Sequence, residues 1–152
     1  MDIEINHINY GAPEYATEVW QLREDVLRIP LGLSLKNEDL SRDRINEIFI
    51  AKSGGKVIGC VFLQPLTTGS IQLRAMAVAA HWQGKGVGHK LVVAAEDYSR
   101  AAGYSRIELH ARKAAMGFYL SMGYLSFGDE FREVGIPHFM MEKDISAGIG
   151  QI

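Results

Sequence analysis

The chain has a single cysteine, Cys60, among its 152 residues. A lone cysteine inside an apolar run cannot close an intrachain disulfide, and it reads as a small core residue. No set of Cys and His has metal-ligand spacing, so neither a structural zinc nor any other metal is expected. An excess of positive charge is also missing. The formal net charge is −2, whereas a general nucleic-acid binder needs a basic face, so no nucleic-acid partner is expected. No apolar run approaches the length of a membrane span, which argues against a membrane partner. The opening Met1-Asp2-Ile3-Glu4 has no basic segment leading into an apolar stretch, so it does not read as a signal peptide, and the expected location is cytoplasmic. There is no internal repeat, long linker or low-complexity block. What remains is ordinary for one globular core: a single domain is expected over 1–145, with a flexible tail over 146–152.

The elements follow from periodicity. Ile3 and Ile5 alternate with polar neighbours as in a half-buried strand. Pro13 opens a helical pattern in which Ala16, Val19, Trp20, Arg23, Val26 and Leu27 recur on one side, and Pro30 and Gly32 end it. Residues 29–35 read as a covering loop and 37–46 as a short second helix. Two β-rich runs, 48–51 and 57–63, flank Ser53-Gly54-Gly55-Lys56, which is a hairpin signal. A turn at 67–70 leads into a third strand, 71–78. A helical pattern follows over 87–102, then a strand over 106–111, a short helix over 114–122, and strands over 124–131 and 139–142. The expected fold is mixed α/β: a mostly antiparallel sheet of six to seven strands flanked by about four helices. The crossover from 71–78 through the long helix to 106–111 makes those two strands parallel neighbours.

The richest segment is Gln83-Gly84-Lys85-Gly86-Val87-Gly88. A glycine turn feeding a helix start aims unpaired N–H groups at one spot, and phosphate is the usual guest of such a site. Glycine also lets the backbone approach a ligand where a Cβ would collide. A P-loop is excluded because Gly88 is followed by His89-Lys90-Leu91. A Rossmann fingerprint is excluded by the glycine spacing and by the hairpins that precede the turn.

The pattern Gln83-x-x-Gly86-x-Gly88 resembles the pyrophosphate turn of the GNAT superfamily of acyl-CoA-dependent N-acetyltransferases, and the element order from Ile3 to Glu142 is similar as well. The resemblance implies acetyl-CoA or coenzyme A as co-substrate. It implies phosphate contacts from Gln83, Gly84, Lys85, Gly86, Val87, Gly88 and His89, with Lys85, His89 and Lys90 adding charge near the adenosine end. Met76, Ala77 and Val78 occupy the place of the splayed strand that meets the pantetheine arm, and the Val78 N–H is the implied oxyanion donor. A second match lies in Ala115, Phe118-Tyr119 and Gly123-Tyr124. In that motif the usual Asn is Arg112 here, so Arg112 or Lys113 is expected to approach a phosphate instead. The ending, Gly135-Ile136-Pro137-His138 followed by Met140-Met141, is similar to small bacterial ElaA-like members. Family resemblance also allows a homodimer.

The implied chemistry is acetyl transfer to a primary amine on a small molecule or peptide. The amine attacks the thioester directly and passes through a tetrahedral oxyanion, without an acyl-enzyme on Cys60. Such a reaction needs a neutral amine, oxyanion donors and help for the departing thiolate. Tyr119 matches the family residue that donates to the sulfur, and Tyr124 reads as packing. The strand positions where some members carry a base are Gln72 and Arg74 here, and neither can serve. Candidates for the base are Glu108, His110 and His138. The acceptor is expected between loop 29–35 and turn 131–138, where Arg28 and Arg132 would meet a carboxylate. The alternative is a catalytically silent CoA-binding sensor or structural subunit with the same fold.

Overall fold

A computed structural model describes residues 2–146; of the expected tail, all beyond Ser146 lies outside the described residues. Its contacts divide the chain into two compact units. One holds Met1–Gln64 and Arg74–Ala95, the other Pro65–Leu73 and Glu96–Ile152. The strands are β1 (Glu4–Ile8), β2 (Glu47–Ser53), β3 (Lys56–Pro65), β4 (Ser70–Val78), β5 (Arg106–Arg112), β6 (Leu125–Glu133) and β7 (Ile136–Asp144). They form one seven-stranded sheet in the order β1-β2-β3-β4-β5-β7-β6. Among the described residues the α-helices are α1 (Pro13–Arg23), α2 (Val87–Ala101) and α3 (Met116–Ser121).

In the first unit α1 starts with Pro13 in its first turn, where the missing N–H costs nothing. Its buried side packs Val19 and Leu22 against Ile48, Ile50, Cys60 and Phe62 of β2 and β3. The helix expected to run to Leu27 instead widens into a π-type turn over Glu24–Arg28, followed by a 3₁₀ turn over Ile29–Leu31. Buried Glu24 then ties down the next loop: its carboxylate accepts from the Ser34 hydroxyl at 2.6 Å and the Leu35 N–H at 2.8 Å. Those two hydrogen bonds hold its pKa below the usual carboxylate range. The short helix expected over 37–46 is only a 3₁₀ segment, Ser41–Ile45. An isolated helix of that length has little intrinsic stability, and here Asp39 accepts from the Ser41 N–H while Asn46 donates to the Arg42 carbonyl. The hairpin turn is as expected, with Gly54 and Gly55 both at positive φ between β2 and β3.

In the second unit Ser70–Leu73 pairs in parallel with Arg106–Leu109, as the crossover rule predicts. β5 then continues antiparallel to β7, from Arg106↔Asp144 to Arg112↔His138. The alternation of β5 buries Ile107, Leu109 and Ala111. The last hairpin, expected as a turn over 131–138, reverses tightly at Val134-Gly135; Phe131, Arg132 and Glu133 lie in β6, and Ile136, Pro137 and His138 in β7. Val134 sits at φ 46°, a conformation that a β-branched side chain resists. Val134→Asn would create the Asn-Gly pair that this two-residue turn favours. We expect it to raise stability by about 1 kcal/mol, seen as a Tm increase of roughly 2–4 °C. An unchanged or lower Tm would show that Val134 is not strained.

Candidate active site

The glycine turn belongs to the first unit. β4 reaches Val78 after a bend in which Ala75 takes φ 54°. A 3₁₀ turn over Ala80–Trp82 follows, then Gln83, and α2 begins at Val87. The Gln83 side chain donates to the Val78 carbonyl at 2.9 Å, which closes the turn back onto the end of β4. Gly84 and Gly86 take φ 77° and 87°, where other residues are strained. A Cβ built on either one meets no atom beyond its chain neighbours within 4 Å. The turn therefore leaves its backbone open beside the α2 N-terminus, whose first N–H groups have no intrahelical acceptor. This donor set fits a phosphate. Lys85 and Lys90 are exposed, as is His89, and the Lys85 ammonium lies 5.5 Å from the centroid of the Trp82 ring. Inside the unit, Gly59 on β3 makes room for α2: a Cβ there would lie 2.9 Å from Val87 and 3.0 Å from Leu91. Glycine at that point sets how closely the helix approaches the strand.

Cys60 is fully buried in the same unit, and its thiol contacts the Ala75 carbonyl at 3.4 Å. Burial pushes its pKa up to about 12, which leaves it a poor nucleophile.

Tyr119 belongs to the second unit, on α3. It is 6% exposed, with Phe118 edge-on at 5.0 Å and Tyr124 edge-on at 5.8 Å. Burial raises the pKa of its hydroxyl, so the proton is held more tightly than on a free phenol. Tyr124 is fully buried and donates to Glu96 at 2.8 Å, and Lys143 joins the same carboxylate at 3.1 Å. Tyr124 is accordingly a packing residue with its own partner.

The three candidate bases also lie in the second unit and differ in setting. Glu108 is ion-paired with Arg106 at 2.8 Å. His110 Nδ1 meets Glu133 at 2.8 Å, with a third of its side chain exposed. His138 is 3% exposed; its Nδ1 faces the Ile136 carbonyl at 2.9 Å and its Nε2 lies 3.8 Å from Glu133. A carbonyl accepts only from N–H, so the proton of neutral His138 sits on Nδ1 and the Nε2 lone pair is left available. Arg112 closes β5 opposite His138.

The cations expected to meet an acceptor carboxylate are otherwise engaged. Arg28 is paired in bidentate fashion with Glu38, at 2.5 and 3.0 Å. Arg132 donates to the Gly135 carbonyl of its own turn. Sequence reasoning missed a different constellation, in the first unit. Buried Asp43 accepts from Arg23 at 2.8 Å and from Arg74 at 2.7 Å, and Arg74 donates to Asn46 as well. Two signals pointed to it: an arginine on the apolar side of α1, and another within the apolar run of β4.

Among the described residues no group of three or more His, Cys, Asp or Glu could hold a metal ion, and no helix is long and apolar enough to cross a membrane. Residues 34–145 match the family profile described as "Acetyltransferase (GNAT) domain". The chain belongs to the GNAT acetyltransferases. A curated relative, the uncharacterized protein YyaT of Bacillus subtilis, is 32% identical over 93 residues, covering 57% of this chain and 63% of YyaT. The chain spans less than two-thirds of the length of the curated relatives it matches. The GNAT fold is also shared with Escherichia coli ElaA, at TM-score 0.82 and 16% identity, over 94% of this chain and all of ElaA. A GNAT family acetyltransferase from Elizabethkingia anophelis, solved with acetyl-CoA bound, superposes at TM-score 0.68 and 18% identity, over 93% of this chain and 97% of that one.

Proposed function

We propose that this GNAT member moves an acetyl group from acetyl-CoA to a primary amine by direct attack. The observation that carries the reading is the open turn: Gly84 and Gly86 hold left-handed backbone with empty space above them, immediately before the α2 N-terminus. In this reading acetyl-CoA brings the activated thioester. The N–H groups from Gly84 to His89 bind its pyrophosphate, the Gln83 N–H already donating to the Ala80 carbonyl at 3.4 Å, and Lys85 and Lys90 add positive charge. The bend at Ala75 turns Met76, Ala77 and Val78 toward the pantetheine arm, with the Val78 N–H as oxyanion donor.

Tyr119 donates a hydrogen bond to the leaving sulfur. On reference values a thiolate taking a phenol proton is already uphill by roughly 2 kcal/mol, and the burial of Tyr119 widens that gap. The hydroxyl therefore stabilises the departing charge and keeps its proton. His138 is the best prepared of the three bases, since its backbone contact fixes the tautomer and Glu133 stands ready to stabilise the imidazolium.

Arg74 and Gln72 favour a second reading, a coenzyme-binding subunit without turnover. Both occupy the positions on β4 where a base would stand. Arg74 is tied to Asp43 and Asn46, and Gln72 is buried. One experiment separates the two readings: titrate acetyl-CoA calorimetrically, then follow thiol release with a panel of amines. Binding with amine-dependent release supports the transferase, and binding without release for any amine overturns it. In the same assay Tyr119→Phe is expected to lower kcat by about tenfold or more with coenzyme affinity held within about twofold. A kcat within about twofold of the parent would remove Tyr119 from the mechanism.

A further inference from the structure

The first unit contains a cavity of about 220 Å³ between the end of β1, α1, β2 and β3. Ile8, Val19, Ile48 and Phe62 make its walls apolar, and Tyr10 and Trp20 add aromatic surface. Arg23 and Asp43 also line it. Behind them, Asp43 is shared by Arg23 and Arg74, so two guanidiniums face one carboxylate. Both cations also lie over the Phe62 ring, at 4.6 and 5.6 Å. This trio keeps one net positive charge. The Arg23 side chain is only 6% exposed, yet its Nε has no hydrogen-bond partner among the described residues. Excess charge held out of water beside an apolar cavity is costly, and a ligand anion at the Arg23 guanidinium would relieve it.

We infer that this cavity binds the acceptor, and that the acceptor is an apolar α-amino acid whose side chain fills the cavity while its carboxylate pairs with Arg23. The volume suits such a guest, since an apolar cavity of about 150 Å³ already accommodates a benzene ring. The role as acceptor site rests on the transferase reading. It is supported by Arg74, which holds the second oxygen of Asp43 and lies on β4 two residues before Met76.

The test uses the full chain without coenzyme and three probes in calorimetry: L-phenylalanine, phenethylamine, which lacks the carboxylate, and L-alanine, which lacks the body. Phenylalanine should bind at least about tenfold more tightly than either of the others. Ala16→Trp, at an exposed position of α1 on the cavity wall, should block the space and weaken phenylalanine by at least about tenfold without lowering Tm. Arg23→Met should bring phenylalanine down to the affinity of phenethylamine; if that variant does not fold, Ala16→Trp decides. Equal affinity for phenylalanine and either other probe overturns the inference, as does unchanged binding by Ala16→Trp. Thiol release from acetyl-CoA separates this outcome from the transferase reading. Selective phenylalanine binding without release keeps the cavity assignment and overturns only the transfer. Release that is equally fast with alanine keeps the transfer and overturns the cavity assignment.

Discussion

Gly86→Glu should abolish coenzyme A binding in a protein that still folds. At φ 87° a side-chain residue is strained by about 1–2 kcal/mol. A carboxylate at the start of α2 recovers about 0.3–1 kcal/mol of this through the helix dipole. The net cost is a small part of a typical stability of roughly 5–15 kcal/mol. No atom beyond the adjoining residues lies within 4 Å of the new Cβ, so the side chain would occupy the space where the backbone would meet a phosphate. There it brings negative charge against negative charge. The expected loss of affinity is about 100-fold or more in calorimetry, equivalent to roughly 2.7 kcal/mol. Gly86→Ala carries the strain without the charge and should lose much less. Unchanged affinity in Gly86→Glu would sink the phosphate assignment for the turn.

Asp43→Ala should be the most destabilising substitution in the first unit. Asp43 is 3% exposed and is the carboxylate between Arg23 and Arg74. Burial alone already pulls the Arg74 pKa down, and Asp43 opposes that pull. Removing one partner of a buried ion pair typically costs about 3–5 kcal/mol, because the stranded charge stays buried. Here two guanidiniums are stranded together. For a chain of this size the cost corresponds to a drop in Tm of roughly 10 °C, measurable by circular dichroism and by the urea midpoint. Asp129→Ala, at an exposed position of β6, serves as the comparison and should stay within about 0.5 kcal/mol. If Asp43→Ala loses less than about 1 kcal/mol, the cluster is not the buried charge network described above.

Local chemistry made much of the architecture legible in the sequence. Gly54-Gly55 marked the first hairpin because that turn needs two positive φ values, and the structure has them. The parallel pairing of β4 with β5 followed from the crossover rule. The glycine turn before α2 was visible because backbone at positive φ leaves a mark in residue type. Charge networks leave a fainter mark: Arg23 and Arg74 stood out in apolar surroundings, but nothing local named their partner. Asp43 lies 20 residues from Arg23 and 31 from Arg74, and its polar neighbours resembled a solvated helix. The expected second helix failed for the same reason, since a short polar segment is shaped by what its side chains reach. The last hairpin was expected as a broad turn over 131–138, whereas pairing of β6 with β7 continues to Glu133↔Ile136. The sharp reversal instead falls at Val134-Gly135, a position where sequence preference would not put valine.

Cys60 has a practical consequence for all these assays. It is the chain's single thiol, fully buried and with a pKa near 12. At pH 8 only about one molecule in ten thousand would carry the thiolate that a disulfide reagent attacks. Colour from such a reagent therefore reports the coenzyme thiol alone while the protein stays folded. Without substrate, the slow appearance of one equivalent of colour records how often the core of the first unit opens, so the same chemistry can time unfolding in the variants above.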